Sequence, residues 1–421
     1  MTSVATKKAR DKAVVLDMVR RLGPLSRVDI YKLTHLRPGT ISLLVRELLR
    51  ENKVAEVGPS DNPRGRKQIL LKLKEDWGCL AALEFDPETV VAAVLDLGAQ
   101  VRCSLTEPTY LGGGLEGLVR QLVGCTERVV REAGLGAAHL LATGVADPGL
   151  VDSRQGTTIT CSTIDFWRGV PLRPVFEKRF GVPFLLESNT RARVVAERML
   201  GAGQKAADMI YLDYGAGIGM GVISQGELLR GGSECAGEFG HMHVSEGGPA
   251  CRCGSFGCLE AVAGAPAIAT RARAAVLDGS VSSVLELAGG DPARISAAHV
   301  LAAARAGDKL CAAILGEVEE RLGLGLANAV NLLNPSLIVV DRRLAPAGEE
   351  FLEQIARRVR RQALQRATEG LAFRFAALGE QAGVLGIALL VLEDLFEIPS
   401  LQLPKFLRES GPAGPATGWN Q

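Results

Sequence analysis

Apolar positions near the start of the chain recur with a helical period. Residues 10 to 22, RDKAVVLDMVRRL, put Val14, Val15, Met18 and Leu22 on one face, and Gly23 with Pro24 predict the stop. Ser26 can then cap a second helix, with Asp29 as the acidic half of a capping box and Ile30 and Leu33 on the apolar side. The pattern predicts a short helix over about residues 27 to 35. Pro38 is pre-set for a first helical turn, and Ile41, Leu44, Val45, Leu48 and Leu49 form a strong stripe that predicts a third helix. Two strand-like runs within residues 53 to 73, KVAEVG and KQILLKL, then flank a tip, SDNPRGR, rich in turn formers, and predict a hairpin.

From Trp77 onward the pattern changes again. Apolar runs LAALEF, VVAAVLDL, LLATGVADP, FLLES, MIYLDYG, GVIS and LIVVD are separated by helical segments, which predicts an α/β architecture, and the length available predicts two lobes. Residues 322 to 340 carry no charge over 19 positions, but Asn328, Asn331, Asn334 and Pro335 argue against a membrane span. The first fifteen residues lack the apolar core and cleavage site of a secretory signal, so the expected location is cytoplasmic.

Composition sharpens this picture in two places. With 421 residues, 47% hydrophobic and 23% charged, the chain has the balance of a folded globular protein of roughly two to four domains. Nine cysteines, an odd count in a long chain expected in a reducing compartment, argue against a disulfide framework. The net charge of +1 conceals a split, because residues 1 to 75 hold 17 Lys and Arg against 8 Asp and Glu, or +9, and the remainder carries −8. One end is built to meet an anion.

That charge decides how the first segment is read. Two short helices feeding a third through a tight turn make a helix-turn-helix, whose third helix offers its N-terminal side chains to base edges in the major groove. Arg37, Thr40, Ser42 and Arg46 are the candidate contacts. The hairpin is then a wing, with Arg64, Arg66 and Lys67 expected at the phosphate backbone or minor groove, where positive charge displaces counterions. The competing reading is an ordinary three-helix bundle with a solvated basic face; the local +9 favours double-stranded DNA.

Two features of the larger region carry chemistry. Gly215, Gly217, Gly219 and Gly221 alternate between apolar runs, which suits a tight hairpin whose amides can approach a phosphate, or equally a bulged hairpin with close backbone packing. His241 is followed by Cys251, Cys253 and Cys258 in the string CRCGSFGC. Four soft ligands within 18 residues, with Gly254 and Gly257 letting the chain wrap, suit a closed tetrahedral Cys3His zinc site of structural type, one zinc per chain. His243 is a rival ligand.

Taken together these residues resemble the ROK family of sugar kinases and sugar-responsive repressors, over nearly the whole chain. The most specific pieces are GEFGH at 237 to 241, CRCGSFGCLE at 251 to 260, ADPGLVD at 146 to 152 and NPSLIVV at 334 to 340. The resemblance implies an actin-like (ribonuclease H-like) two-lobed sugar-kinase fold behind an N-terminal winged helix-turn-helix. The expected divisions are 1–75 for the DNA-binding head, 76–200 for a first lobe completed by about 380–400, and 201–380 for a second lobe with the zinc site. Residues 404 to 421, Pro- and Gly-rich at their end, are expected to be disordered. The resemblance carries sugar contacts to Glu238, His241 and Glu260.

The departures from the family pattern bear on activity. The kinases' catalytic aspartate matches Asn189 in LESNTRARVVAE, and an amide cannot accept the sugar's proton. The first phosphate loop matches Glu84, Asp86, Pro87 and Glu88, whose carboxylates are expected to repel ATP; the second loop's threonine matches Ala216. Glycines near the adenosine site are replaced by Asp341, Arg342 and Arg343, and a sugar-binding asparagine by Thr163. The expectation is a dimeric repressor with no catalytic residues, reading a palindromic operator and answering a sugar or sugar derivative held by Thr163, Asn189, Glu238, His241 and Glu260. The alternatives are a sugar kinase with a divergent nucleotide site, or a DNA-binding dimer that no longer binds sugar.

Overall fold

A computed structural model describes residues 3–59, 67–134 and 139–396. The first helix, Ser3–Leu22, starts earlier than the apolar stripe indicates. Lys8, in the added turns, pairs with Glu47 of the third helix, and Lys12 pairs with Glu51 at that helix's C-cap. The second helix, Arg27–Thr34, opens with the expected box: the Asp29 amide donates to Ser26 Oγ at 3.1 Å, and the Ser26 amide donates to Asp29 Oδ2 at 3.0 Å. It ends at His35, which takes a left-handed φ of 54°. The third helix, Pro38–Arg50, buries Ile41, Leu44, Val45 and Leu48. Strands Val54–Pro59 and Ile69–Leu73 pair antiparallel, with Leu25–Ser26 added at the edge, and this is the winged-helix pattern. Much of the wing tip, with Arg64 and Arg66, lies outside the described residues, as does the tail from residue 397.

Two five-stranded sheets follow, and they repeat one another. In the first, Cys79–Phe85 is central, flanked by the antiparallel strands Thr89–Asp96 and Val101–Pro108 on one side and the parallel strands Leu140–Asp147 and Phe184–Ser188 on the other. In the second, Met209–Tyr214 is central, with antiparallel Ile218–Ser224 and Glu227–Leu228 to one side and parallel Leu337–Val340 and Ala372–Phe375 to the other. The uncharged run at 322 to 340 is the end of a helix, Lys309–Leu333, closed by Asn334 at φ 46°, and the strand after it. No helix among the described residues is long and apolar enough to cross a membrane.

In each half the helix after the last strand packs across to the other half. Helix Asn189–Leu200 follows the first sheet but places Val194 in a core with Met209, Tyr211 and Ile223 of the second. Helix Ala382–Phe396 follows the second sheet but packs with Leu80, Ala82 and Ala142 of the first. The two helices meet backbone to backbone, because a Cβ on Gly386 would collide with the carbonyl of Ala192. The same core runs on into the head through Val15, Leu16 and Val19. Arg20 lies over the Phe396 ring, 5.0 Å from its centre, and Arg21 sits 3.8 Å from Glu393. Burial of apolar surface therefore fastens the head to the lobe beneath it.

Candidate ligand cleft and metal centre

The expected ligand residues come from four separate segments and meet in one cleft of about 330 Å³, whose lining includes Thr163, Asn189, Glu238, His241 and Glu260. Asn189 opens the helix Asn189–Leu200, which Ser188 caps through the Arg191 amide. Its Nδ2 donates to the Phe85 carbonyl at 2.9 Å. Its Oδ1 is buried without a partner, so the cleft wall holds an unused acceptor. Asp147 fixes the neighbouring loop by accepting bonds from Thr158 Oγ1 (2.6 Å), Trp167 Nε1 (2.8 Å) and the Gly149 amide (2.7 Å). Burial pushes its carboxyl above the ordinary range against those bonds.

On the opposite wall His241 stands between two acids, its Nε2 at 3.7 Å from Glu238 Oε2 and its Nδ1 at 3.8 Å from Glu260 Oε1. Burial pushes the Glu238 carboxyl up, against the pull of His241 and Arg191. Carboxylates and an imidazole in this spacing can hydrogen-bond neighbouring hydroxyls and reject a ligand that lacks them.

The metal motif closes beside this wall. One ligand atom from each of His241, Cys251, Cys253 and Cys258 lies within 4.8 Å of all the others. Bonds of about 2.3 Å around a tetrahedral zinc put neighbouring thiolates roughly 3.8 Å apart. Cys253 Sγ is 3.8 Å from Cys258 Sγ, and Cys251 Sγ is 3.7 Å from His241 Nδ1, so the donor set fits. His243 is occupied elsewhere, its Nδ1 bonded to the Phe256 carbonyl at 2.9 Å.

Below the cleft an ion network joins the halves. Arg193 reaches Glu84 Oε1 (2.7 Å) from one lobe and Asp213 Oδ1 (2.8 Å) from the other, while Arg343 reaches Asp213 Oδ1 (2.5 Å) and Asp341 Oδ2 (2.8 Å). Tyr211 donates to Asp341 Oδ2 at 2.8 Å, and Thr190 to Asp213 Oδ2 at 2.6 Å. Burial would raise the Asp341 carboxyl, but the Arg343 and Arg193 guanidiniums hold it well below the ordinary range. The Glu84 carboxyl is pushed up by burial despite Arg193.

In the head, Arg37, Ser42 and Arg46 are exposed and Thr40 is half-buried, all at the outer side or start of the third helix, and Lys67 is exposed beside the wing.

The family profile described as ROK family matches residues 116–394. This chain belongs to the ROK family. It is 28% identical over 392 residues to a xylose repressor of Caldicellulosiruptor bescii, covering 93% of this chain and 98% of the relative. A glucokinase of Halalkalibacterium halodurans is 34% identical over 258 residues, covering 61% of this chain and 78% of that enzyme. The crystal structure of a ROK family transcriptional regulator, a homolog of the E. coli MLC protein, superposes with a TM-score of 0.79 at 24% identity, over 93% of this chain and 97% of that one, and shows the shared fold.

Against the ROK pattern, one expectation about the first turn needs correction. Glu84 is not a free carboxylate facing an incoming phosphate; it is buried and paired with Arg193. Asp86 turns inward on its own loop, accepting from the amides of Glu88 and Thr89 at 2.8 Å each. The pattern did not single out Arg191, Arg193 or Asp213. Two arginines at i and i+2 of a helix face different ways, and nothing local indicates that both are buried.

Proposed function

We propose that this ROK-family chain is a DNA-binding transcriptional repressor that answers a sugar or sugar derivative and has no kinase activity. The observation that carries the reading is the continuous core from the winged head into the lobe and the helix Ala382–Phe396. A change in the angle between the lobes would be felt by the head through that helix. The similarity to a xylose repressor over 93% of the chain supports it.

In this reading residues 1–75 bind DNA, residues 76–200 with about 380–400 form the first lobe, and residues 201–380 form the second. Arg37, Thr40, Ser42 and Arg46 enter the major groove, and Arg64, Arg66 and Lys67 meet the backbone. The protein acts in the cytoplasm as a homodimer on a palindromic operator, whose half-sites must lie about 34 to 36 Å apart to be read together. A modest change in lobe angle would spoil that spacing. Thr163, Asn189, Glu238, His241 and Glu260 hold the effector. Zinc, held by His241, Cys251, Cys253 and Cys258, braces the loop that carries His241.

The absence of kinase activity is supported by the side chains at the phosphate end. Asn189 has no basic oxygen to take a proton, and Arg343 lies against Gly215, in the turn where a phosphate would have to approach. The decisive test is to capture genomic fragments with purified protein at a stated salt concentration, sequence them, and repeat the capture with sugars present. A recurring palindrome lost on adding a sugar is expected. No enrichment over bulk DNA would sink the reading.

A further inference from the structure

Arg191 lies two residues into the helix Asn189–Leu200, lines the cleft, and is 3% exposed. Two of its three nitrogens are fixed: Nε donates to Glu187 Oε1 at 2.6 Å and Nη1 to the Glu234 carbonyl at 2.6 Å. The third, Nη2, is buried with no hydrogen-bond partner. A guanidinium held at two nitrogens with its third unused is preorganised for an acceptor that arrives with a ligand.

The charge around it indicates what that acceptor is. Glu187, 1% exposed, is shared between Arg191 and Arg230, whose Nε lies 3.0 Å from Glu187 Oε2, so one carboxylate answers two guanidiniums. The N-terminus of the helix adds partial positive charge, and its first residue, Asn189, is neutral. The acids Glu238 and Glu260 gather instead around His241. The cleft therefore offers carboxylate acceptors for hydroxyls at Glu238 and Glu260 and, within electrostatic reach of Glu238, one cationic nitrogen with no acceptor of its own.

We infer that the effector is an anionic monosaccharide, whose hydroxyls face Glu238, His241 and Glu260 and whose carboxylate or phosphate oxygen accepts from Arg191 Nη2. This rests on the sugar-responsive reading above and narrows it to a ligand class. Arg191 is then a specificity-determining residue of the cleft.

Calorimetric titration of the full chain with glucose and galactose, their uronates and their 6-phosphates, at one ionic strength, tests it. At least one anionic sugar should bind about tenfold or more tighter than its neutral parent, because hydrogen bonds to charged groups exceed neutral ones by that order. Whichever anion wins identifies carboxylate or phosphate as the group read. Arg191→Met should erase the preference, and Arg191→Lys should retain only part of it. Neutral and anionic sugars binding equally would overturn the inference and leave the sugar-responsive reading intact. So would an Arg191→Met protein that keeps the preference. No binding of any sugar would remove both. The wild-type panel decides the matter even if the substituted chain does not fold, since Glu187 would lose one of its partners.

Discussion

At the scale of single residues, the chemistry that was legible in the sequence is the chemistry that is local in the chain. Cys251, Cys253 and Cys258 lie within a few positions of one another, so their spacing points to a cluster that could hold a metal, and the fold brings them together with His241. Metal analysis should find about one zinc per chain, and Cys253→Ser should release it and lower the melting temperature through the second lobe, with little effect on the head's affinity for DNA. Glu238 and Glu260 were reached through family resemblance. Replacing both with Ala should abolish the ligand response while operator affinity stays within about threefold, as gel-shift titration with and without sugar would register. The ion network that joins the halves was illegible. Its members Glu84, Arg193, Asp213 and Arg343 come from four segments, and a charged residue in a sequence gives no sign of a partner scores of positions away.

At the scale of elements, amphipathic periodicity located the three head helices, each of which buries one face, and continuous apolar runs located the main strands, which are buried on both. Periodicity missed the early start of Ser3–Leu22, where Lys8 pairs with Glu47 of the third helix. Caps set other boundaries. Asp308 starts the helix Lys309–Leu333 by accepting from the Cys311 amide at 2.9 Å and the Ser283 amide at 2.7 Å. Burial works to raise its carboxyl, but these bonds and the Ser282 and Ser283 hydroxyls outweigh it and set it at about 2, below the ordinary 3.8. A depressed folded value means that the ionised form stabilises the fold. The contribution is complete above about pH 4 and fades as pH falls toward 2. Asp308→Ala should cost about 1 to 2 kcal/mol at pH 7, and the gap in melting temperature from wild type should shrink by pH 3. The crossing of the two exchanged helices permits a sharper expectation. Gly386→Ala, which pushes against the Ala192 carbonyl, should cost about 1 to 3 kcal/mol and weaken the effector's influence on operator affinity more than it weakens effector binding itself.

At the scale of the whole molecule, the architecture joins a DNA-reading head to a two-lobed body whose cleft is lined, beside Gly215, with the paired charges of Arg193, Asp213 and Arg343. Coupled-enzyme measurement of ADP with ATP and a hexose panel should give no turnover above background. Asn189→Asp should not restore it, because Arg193 and Arg343 remain in place. Effector binding should change operator occupancy about 5- to 150-fold, the range of an allosteric coupling of roughly 1 to 3 kcal/mol. The two-lobed class was readable from strand runs and length, but the exchange of helices between the halves was not, since no periodicity states which sheet a helix will cover. That exchange also ties the two ends of the polypeptide. The head rests on Ala382–Phe396, far along the chain, through Val15, Leu16, Val19 and Arg20. A nascent chain therefore cannot seat its DNA-binding head until Ala382–Phe396 has been made, and a nonsense mutation as late as residue 380 would strip the support from a domain more than 300 positions upstream.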